Sequence, residues 1–98
     1  MLTLDVGFGV LEKLAEKFPK NFINAGLRET NAVSMATGMA LKGKIPFVYS
    51  INSFLVFKTL EQTRMLSNME QHVVLVGTGL DEEYTNFGIT HYSCGDEE

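Results

Sequence analysis

The chain has 98 residues, 45% of them hydrophobic and 20% charged, with a net charge of −4. That is room for one modest globular core, expected over residues 1–98 as a single domain. Eight Lys and Arg against twelve Asp and Glu give no cationic surplus for a phosphate backbone, so nucleic acid is not an expected partner.

Residues 2–6 are short and apolar, and the chain bends at Gly7 and Gly9. Residues 8–18 carry Val10, Leu11, Leu14, Ala15 and Phe18 at helical spacing, with charged residues between them, and Pro19 ends the run. Residues 21–25 form a short strand candidate. A second helix is predicted over residues 27–41, rich in small and flexible side chains and stopped by Gly43. Residues 45–50 read as a buried strand with Pro46 near its beginning. A third helix is predicted over residues 54–68, and residues 72–77 form a continuous apolar strand of the parallel-sheet kind. Residues 78–95 read as irregular, and the end, GDEE, as a small acidic tail.

Strands alternating with helices at this spacing predict an α/β fold: a mostly parallel sheet flanked by helices in three layers. Ligands of such sheets bind at the carboxyl ends of the strands. No apolar run reaches the length of a membrane span. The beginning, MLTLDVGFGV, lacks the basic lead of a signal peptide. A lone cysteine, Cys94, excludes an internal disulfide framework and a Cys-based zinc site. A cytoplasmic compartment is the expectation.

Taken singly, most candidate residues have bland explanations. Gly7-Phe8-Gly9 begins like a dinucleotide fingerprint, but Glu12 stands where the third glycine belongs and would oppose a pyrophosphate; a tight strand-to-helix turn is the better reading. His72 opens a strand and reads as structural; His91 lies in a loop. Ser50 and Ser53 lack a nucleophile elbow, and Cys94 has no activating motif. Glu29 falls in the first helical turn of GLRETNAV, where the helix dipole alone rewards a carboxylate. Its functional reading is an acid facing a ligand at a strand-to-helix crevice. Phe54 and Phe57, three residues apart, share a helical face; they suit a core, or a flat heterocycle beside a carboxylate.

The segment FINAGLRETNAVSMATGMALKGKIPFVYS changes that balance. It resembles the pyrimidine-binding domain of transketolase-like, thiamine-diphosphate-dependent enzymes, whose segments run GIAEQNAVGMAAGLALAGKIPFVST, or GIRE in transketolases proper. Asp5-Val6-Gly7 is similar to the family's DLG, FPKNF to its FPDRF, LEQTR to its WEQIR, VVLVGT to its VVLVGTH, and Gly88-Ile89-Thr90-His91 to its GPTH. The likeness runs in order over nearly the whole chain and is nearest to separately encoded C-terminal transketolase sections.

The resemblance implies a half-site. In such enzymes one domain or subunit holds the diphosphate and Mg2+ of thiamine diphosphate, and the pyrimidine domain holds the ring. A glutamate there hydrogen-bonds a ring nitrogen and helps the cofactor lose its reactive proton. Glu29 aligns with it. Phe54 and Phe57 fall on aromatic positions of the ring pocket, and Ile51 falls where a further aromatic is usual. Asp5 falls near the thiazolium, and His91 on a histidine that contacts sugar substrates. Glu29 and His91 are thus the implied catalytic residues. Asp5, Glu29, Ile51, Phe54 and Phe57 are the implied cofactor contacts.

The implied activity is two-carbon ketol transfer between sugar phosphates, in carbohydrate metabolism. It would require a diphosphate-binding partner in a homodimer or heterotetramer, and the isolated chain is expected to be inactive. Phe87 replaces the Asp of a DGPTH motif, Thr30 the Gln or His after the glutamate, and Ile89 the proline; these departures bear on sugar specificity. The diphosphate-and-metal motif, GDG with a later Asn, is missing, since Gly95-Asp96-Glu97 does not match it. Against the family pattern the domain reads as cut at both ends. A rival reading is a truncated, non-catalytic paralogue that only binds a partner.

Overall fold

The computed structural model describes residues 1–80 and 83–92; Cys94 and the acidic tail fall outside the described residues. Four strands, β1 (Leu2–Thr3), β2 (Ile23–Asn24), β3 (Phe47–Ile51) and β4 (Val74–Thr78), form one sheet in the order β2-β1-β3-β4. Every pairing is parallel: Leu2 lies opposite Ile23 on one side and Val48 on the other, and Val48 opposite Leu75. The connections carry α1 (Glu12–Lys17), α2 (Glu29–Leu41), α3 (Asn52–Phe57) and α4 (Leu60–Asn68). This is the predicted α/β sheet flanked by helices. For the right-handed crossovers usual between parallel strands, this strand order assigns α1 to one face and α2 and α4 to the other; α2 packs on both β3 and α4. Among the described residues no helix is long and apolar enough to cross a membrane.

The core forms where α2 meets the sheet. Ala32, Val33 and Ala36 recur at the spacing of one helical face and pack on Leu2, Leu4, Val48 and Leu55, all buried. Alanines on this face let the helix lie close to the sheet. Along β3 burial alternates: Val48 and Ser50 face inward, Tyr49 and Ile51 the other side. At the carboxyl end of α2, Gly43 adopts φ +77°. Its N–H donates to the Ala40 carbonyl and that of Lys44 to Met39, the paired bonds that close a helix on a left-handed residue.

The main departures from expectation lie in the first helix, the third helix and the first two strands. The first helix begins at Glu12 rather than at residue 8, because Gly7 and Gly9 both take positive φ and residues 7–11 form a turn. A side chain at Gly7 would be strained: φ is +90°, and a Cβ would stand 2.7 Å from Leu11 Cδ1, so Leu11 would have to shift. The Gly9 N–H donates to Glu12 Oε1 at 2.6 Å, so Glu12 occupies an amide that a phosphate would need, in keeping with the turn reading of these glycines.

The predicted helix over residues 54–68 is two helices broken at Lys58–Thr59. Thr59 is fully buried and its hydroxyl donates back to the Leu55 carbonyl, a bond that bends helices. The first two strands are also shorter than the apolar runs suggested, β1 and β2 having two residues each.

Candidate functional site

All four parallel strands end on one side, and the strand order reverses between β1 and β3. A sheet of this kind offers its ligand crevice there. A cavity of about 380 Å³ lies at that point, lined by Asp5, Val6, Gly7, Tyr49, Ile51, Thr78 and His91 among others. Asp5 stands just past β1 at φ +57°, a conformation that Asp tolerates better than most residues. Asn24, at the end of β2, holds it there. The Asn24 amide donates to Asp5 Oδ1 at 3.3 Å, and its carbonyl accepts from the Asp5 and Gly26 N–H groups at 3.2 and 2.9 Å.

Glu29 is the first residue of α2, at its positive end. It also belongs to the buried stripe of that helix, with Ala32, Val33, Ala36, Thr37 and Ala40. Helical periodicity therefore aims the carboxylate inward, and only 7% of the residue is exposed. A carboxylate held that way is costly unless it has partners. Lys58, just past the end of α3, places its ammonium 3.6 Å from Glu29 Oε1. The same ammonium lies 3.9 Å above the ring centre of Phe54. A nitrogen cation of this chain thus touches the acid and the aromatic face together.

Phe54 turns toward His91 as well, edge to face at 4.8 Å. His91 sits on a turn, Ile89–His91, that is tied to α3: the buried Ser53 hydroxyl donates to the Thr90 carbonyl at 2.9 Å. Phe87 stacks near His91 at 5.3 Å and Tyr84 at 6.4 Å. The Thr90 hydroxyl and His91 Nδ1 are 3.0 Å apart.

The six residues singled out in the sequence therefore fall into two neighbouring groups. Asp5, Ile51 and His91 line the switch-point cavity. Phe54 and Phe57 line a second cavity of about 620 Å³ with Ser53, Lys58, Ile89 and Thr90, and Lys58 links this one to Glu29. The Phe54–His91 contact joins the two groups. Phe57 does not share the burial of Phe54; it is half exposed. Among the described residues no three of His, Cys, Asp and Glu come together as a metal site.

Sequence reasoning does not single out Lys58; it weighs Ser53 only as a nucleophile and Thr90 only as part of the Gly88-Ile89-Thr90-His91 motif. Lys58 stands one turn after Phe54 on the same helical face, a spacing that could have marked it. Its approach to Glu29 could not be read locally.

Comparison with known proteins bears on this arrangement. The family model described as "Transketolase, pyrimidine binding domain" matches residues 1–98. A 33.6 kDa protein in the fasciation locus of Rhodococcoides fascians is 31% identical over 93 residues, covering 94% of this chain and 30% of the relative. An apulose-4-phosphate transketolase subunit of Phocaeicola vulgatus is 32% identical over 91 residues, 92% of this chain and 29% of the relative. A 1-deoxy-D-xylulose-5-phosphate synthase of a Synechococcus strain is 44% identical over 52 residues, 53% of this chain and 8% of that enzyme. The chain thus spans less than a third of the length of these relatives.

Proposed function

Because the chain belongs to the transketolase pyrimidine-binding domain family, we propose that it is the ring-binding half-site of a thiamine-diphosphate-dependent enzyme that moves a two-carbon ketol unit between sugar phosphates. The observation that carries this reading is the buried Glu29 carboxylate at the start of α2, joined through Lys58 to the face of Phe54. An aminopyrimidine needs an acid for a ring nitrogen and an apolar face for the ring. That a nitrogen donor contacts both groups supports the fit of these residues to such a ring. When bound, the cofactor supplies the carbanion chemistry.

In this reading the chain's own residues bind, orient and place protons. Glu29 shares a proton with a ring nitrogen, and burial keeps water from competing for that bond. Phe54 and Phe57 provide the apolar wall, and Ile51 gives plain contact in place of stacking. Asp5 and His91, across the Phe54–His91 contact, face the reacting end and the sugar. Diphosphate and Mg2+ fall to a partner subunit or domain, in line with a relative that is itself named as one subunit of a transketolase.

The test combines the chain with a subunit carrying the diphosphate site, thiamine diphosphate and Mg2+, and assays ketol transfer. Glu29→Gln should lower kcat by about 100-fold or more, the scale of a lost proton-transfer partner. Equal rates would remove the role of Glu29. A non-catalytic, partner-binding paralogue is the second reading, favoured by Lys58 lying across Phe54; it requires that binding to the partner persist with no turnover.

A further inference from the structure

We propose that Lys58 is a displaceable counter-cation of the Glu29 site, a specificity element that a flat nitrogen heterocycle must expel before it can bind. The inference rests on the ring-site reading above and adds to it a competitor built into the chain. Three observations carry it.

First, the ammonium occupies the ground between the two groups that a ring would use, 3.6 Å from Glu29 Oε1 and 3.9 Å from the Phe54 ring centre. Second, the pair is asymmetric: the Lys58 side chain is 53% exposed and that of Glu29 8%. The lysine can swing into water once a ligand takes over its place on the carboxylate, while the glutamate is held by the buried face of α2. Third, 3.6 Å is longer than the 2.7–2.9 Å of a tight charge-assisted bond, so the contact is a loose one. Lys58 is also rooted at the break between α3 and α4, one turn after Phe54.

The consequence is a selection rule. A ligand gains the site only if it replaces both contacts at once, offering a nitrogen to Glu29 and a flat face to Phe54. A sugar or a simple amine offers one of the two and leaves Lys58 in competition for the other. The device also keeps a buried carboxylate compensated whenever the ring is elsewhere.

The test uses the 98-residue chain and one probe, 4-amino-5-hydroxymethyl-2-methylpyrimidine. Affinities are measured by titration calorimetry, and the Lys58 side-chain methylene signals are followed by NMR. In the free chain the Phe54 ring current should shift those methylenes upfield, and saturation with probe should abolish the shift. Lys58→Met should bind the probe about tenfold more tightly, the size of the two loose contacts that the ring then no longer has to displace. Lys58→Arg should bind like wild type and Glu29→Gln more weakly. If Glu29→Gln weakens binding but the lysine signals stay put at saturation, or Lys58→Met binds no more tightly, the counter-cation role is overturned and the ring site stands. If no form binds, or Glu29→Gln binds like wild type, the ring site is overturned and the role of Lys58 with it. The NMR arm needs no substitution, so a Lys58 variant that folds poorly does not rescue the proposal.

Discussion

His91 meets α3 and Glu29 the lysine just past its end, yet different kinds of structure hold them there. Glu29 grows from the first turn of a 13-residue helix whose buried face packs on the sheet. Its direction is set by the same periodicity that buries Ala32, Val33 and Ala36. His91 stands on a three-residue turn near the end of the described chain, among exposed residues, pinned by one hydroxyl of α3 and a small aromatic cluster. The first arrangement is as stable as the core. The second is only as stable as a few side-chain contacts. In the proposed half-site, that difference would give the ring a firmer hold than the loop that carries His91.

The largest expected effect erases the contrast. Leu55 is fully buried beneath α3, the element that both regions share. Leu55→Ala should cost about 2–5 kcal/mol, a large part of the roughly 5–15 kcal/mol that keeps a small domain folded. Urea unfolding would measure it. A loss below about 1 kcal/mol would mean that α3 is not seated in the core as described.

A smaller change sharpens the contrast. Ser53→Ala removes the bond to the Thr90 carbonyl and should cost about 1 kcal/mol. Amide exchange should quicken in residues 88–92 and stay unchanged through α2. Equal quickening in both places would show that the two regions are not independent.

The smallest effect lies away from both. The Gly9 N–H, and after it the amide of Glu12 itself, hold the Glu12 carboxyl below its ordinary value of 4.5. The folded chain therefore binds that proton more weakly than the unfolded chain. The resulting stabilisation is complete above the ordinary value and is lost as the pH falls through the lowered one. Melting temperatures of wild type and Glu12→Gln should converge slightly between about pH 6 and about pH 3. A constant difference would mean that this bond does not form in solution.

Much of the fold was legible because it obeys short-range rules. Alternation of strands and helices, the stop at Gly43 and the rejection of a phosphate loop at Gly7-Phe8-Gly9 each rest on neighbours a few residues apart. The break at Thr59 was not legible, since LEQTR continues a good helical pattern; burial of the Thr59 hydroxyl against the Leu55 carbonyl bends it. The grouping of the candidate residues was legible only in part. Phe54 and Phe57 were expected together and do line one cavity. That Asp5, Ile51 and His91 line another depends on the order of strands in the sheet, which a linear pattern does not encode.

Periodicity along the chain was enough to set the alternating elements and to put Glu29 in the first turn of α2; the buried stripe of that helix, and with it the inward aim of Glu29, came from its packing on the sheet. Which groups Glu29 meets was decided by where the start of α2 and the α3–α4 junction come together in the fold. That approach brings a lysine to a buried acid and an aromatic face, and it depends on packing between segments far apart in the chain, where no local rule reaches.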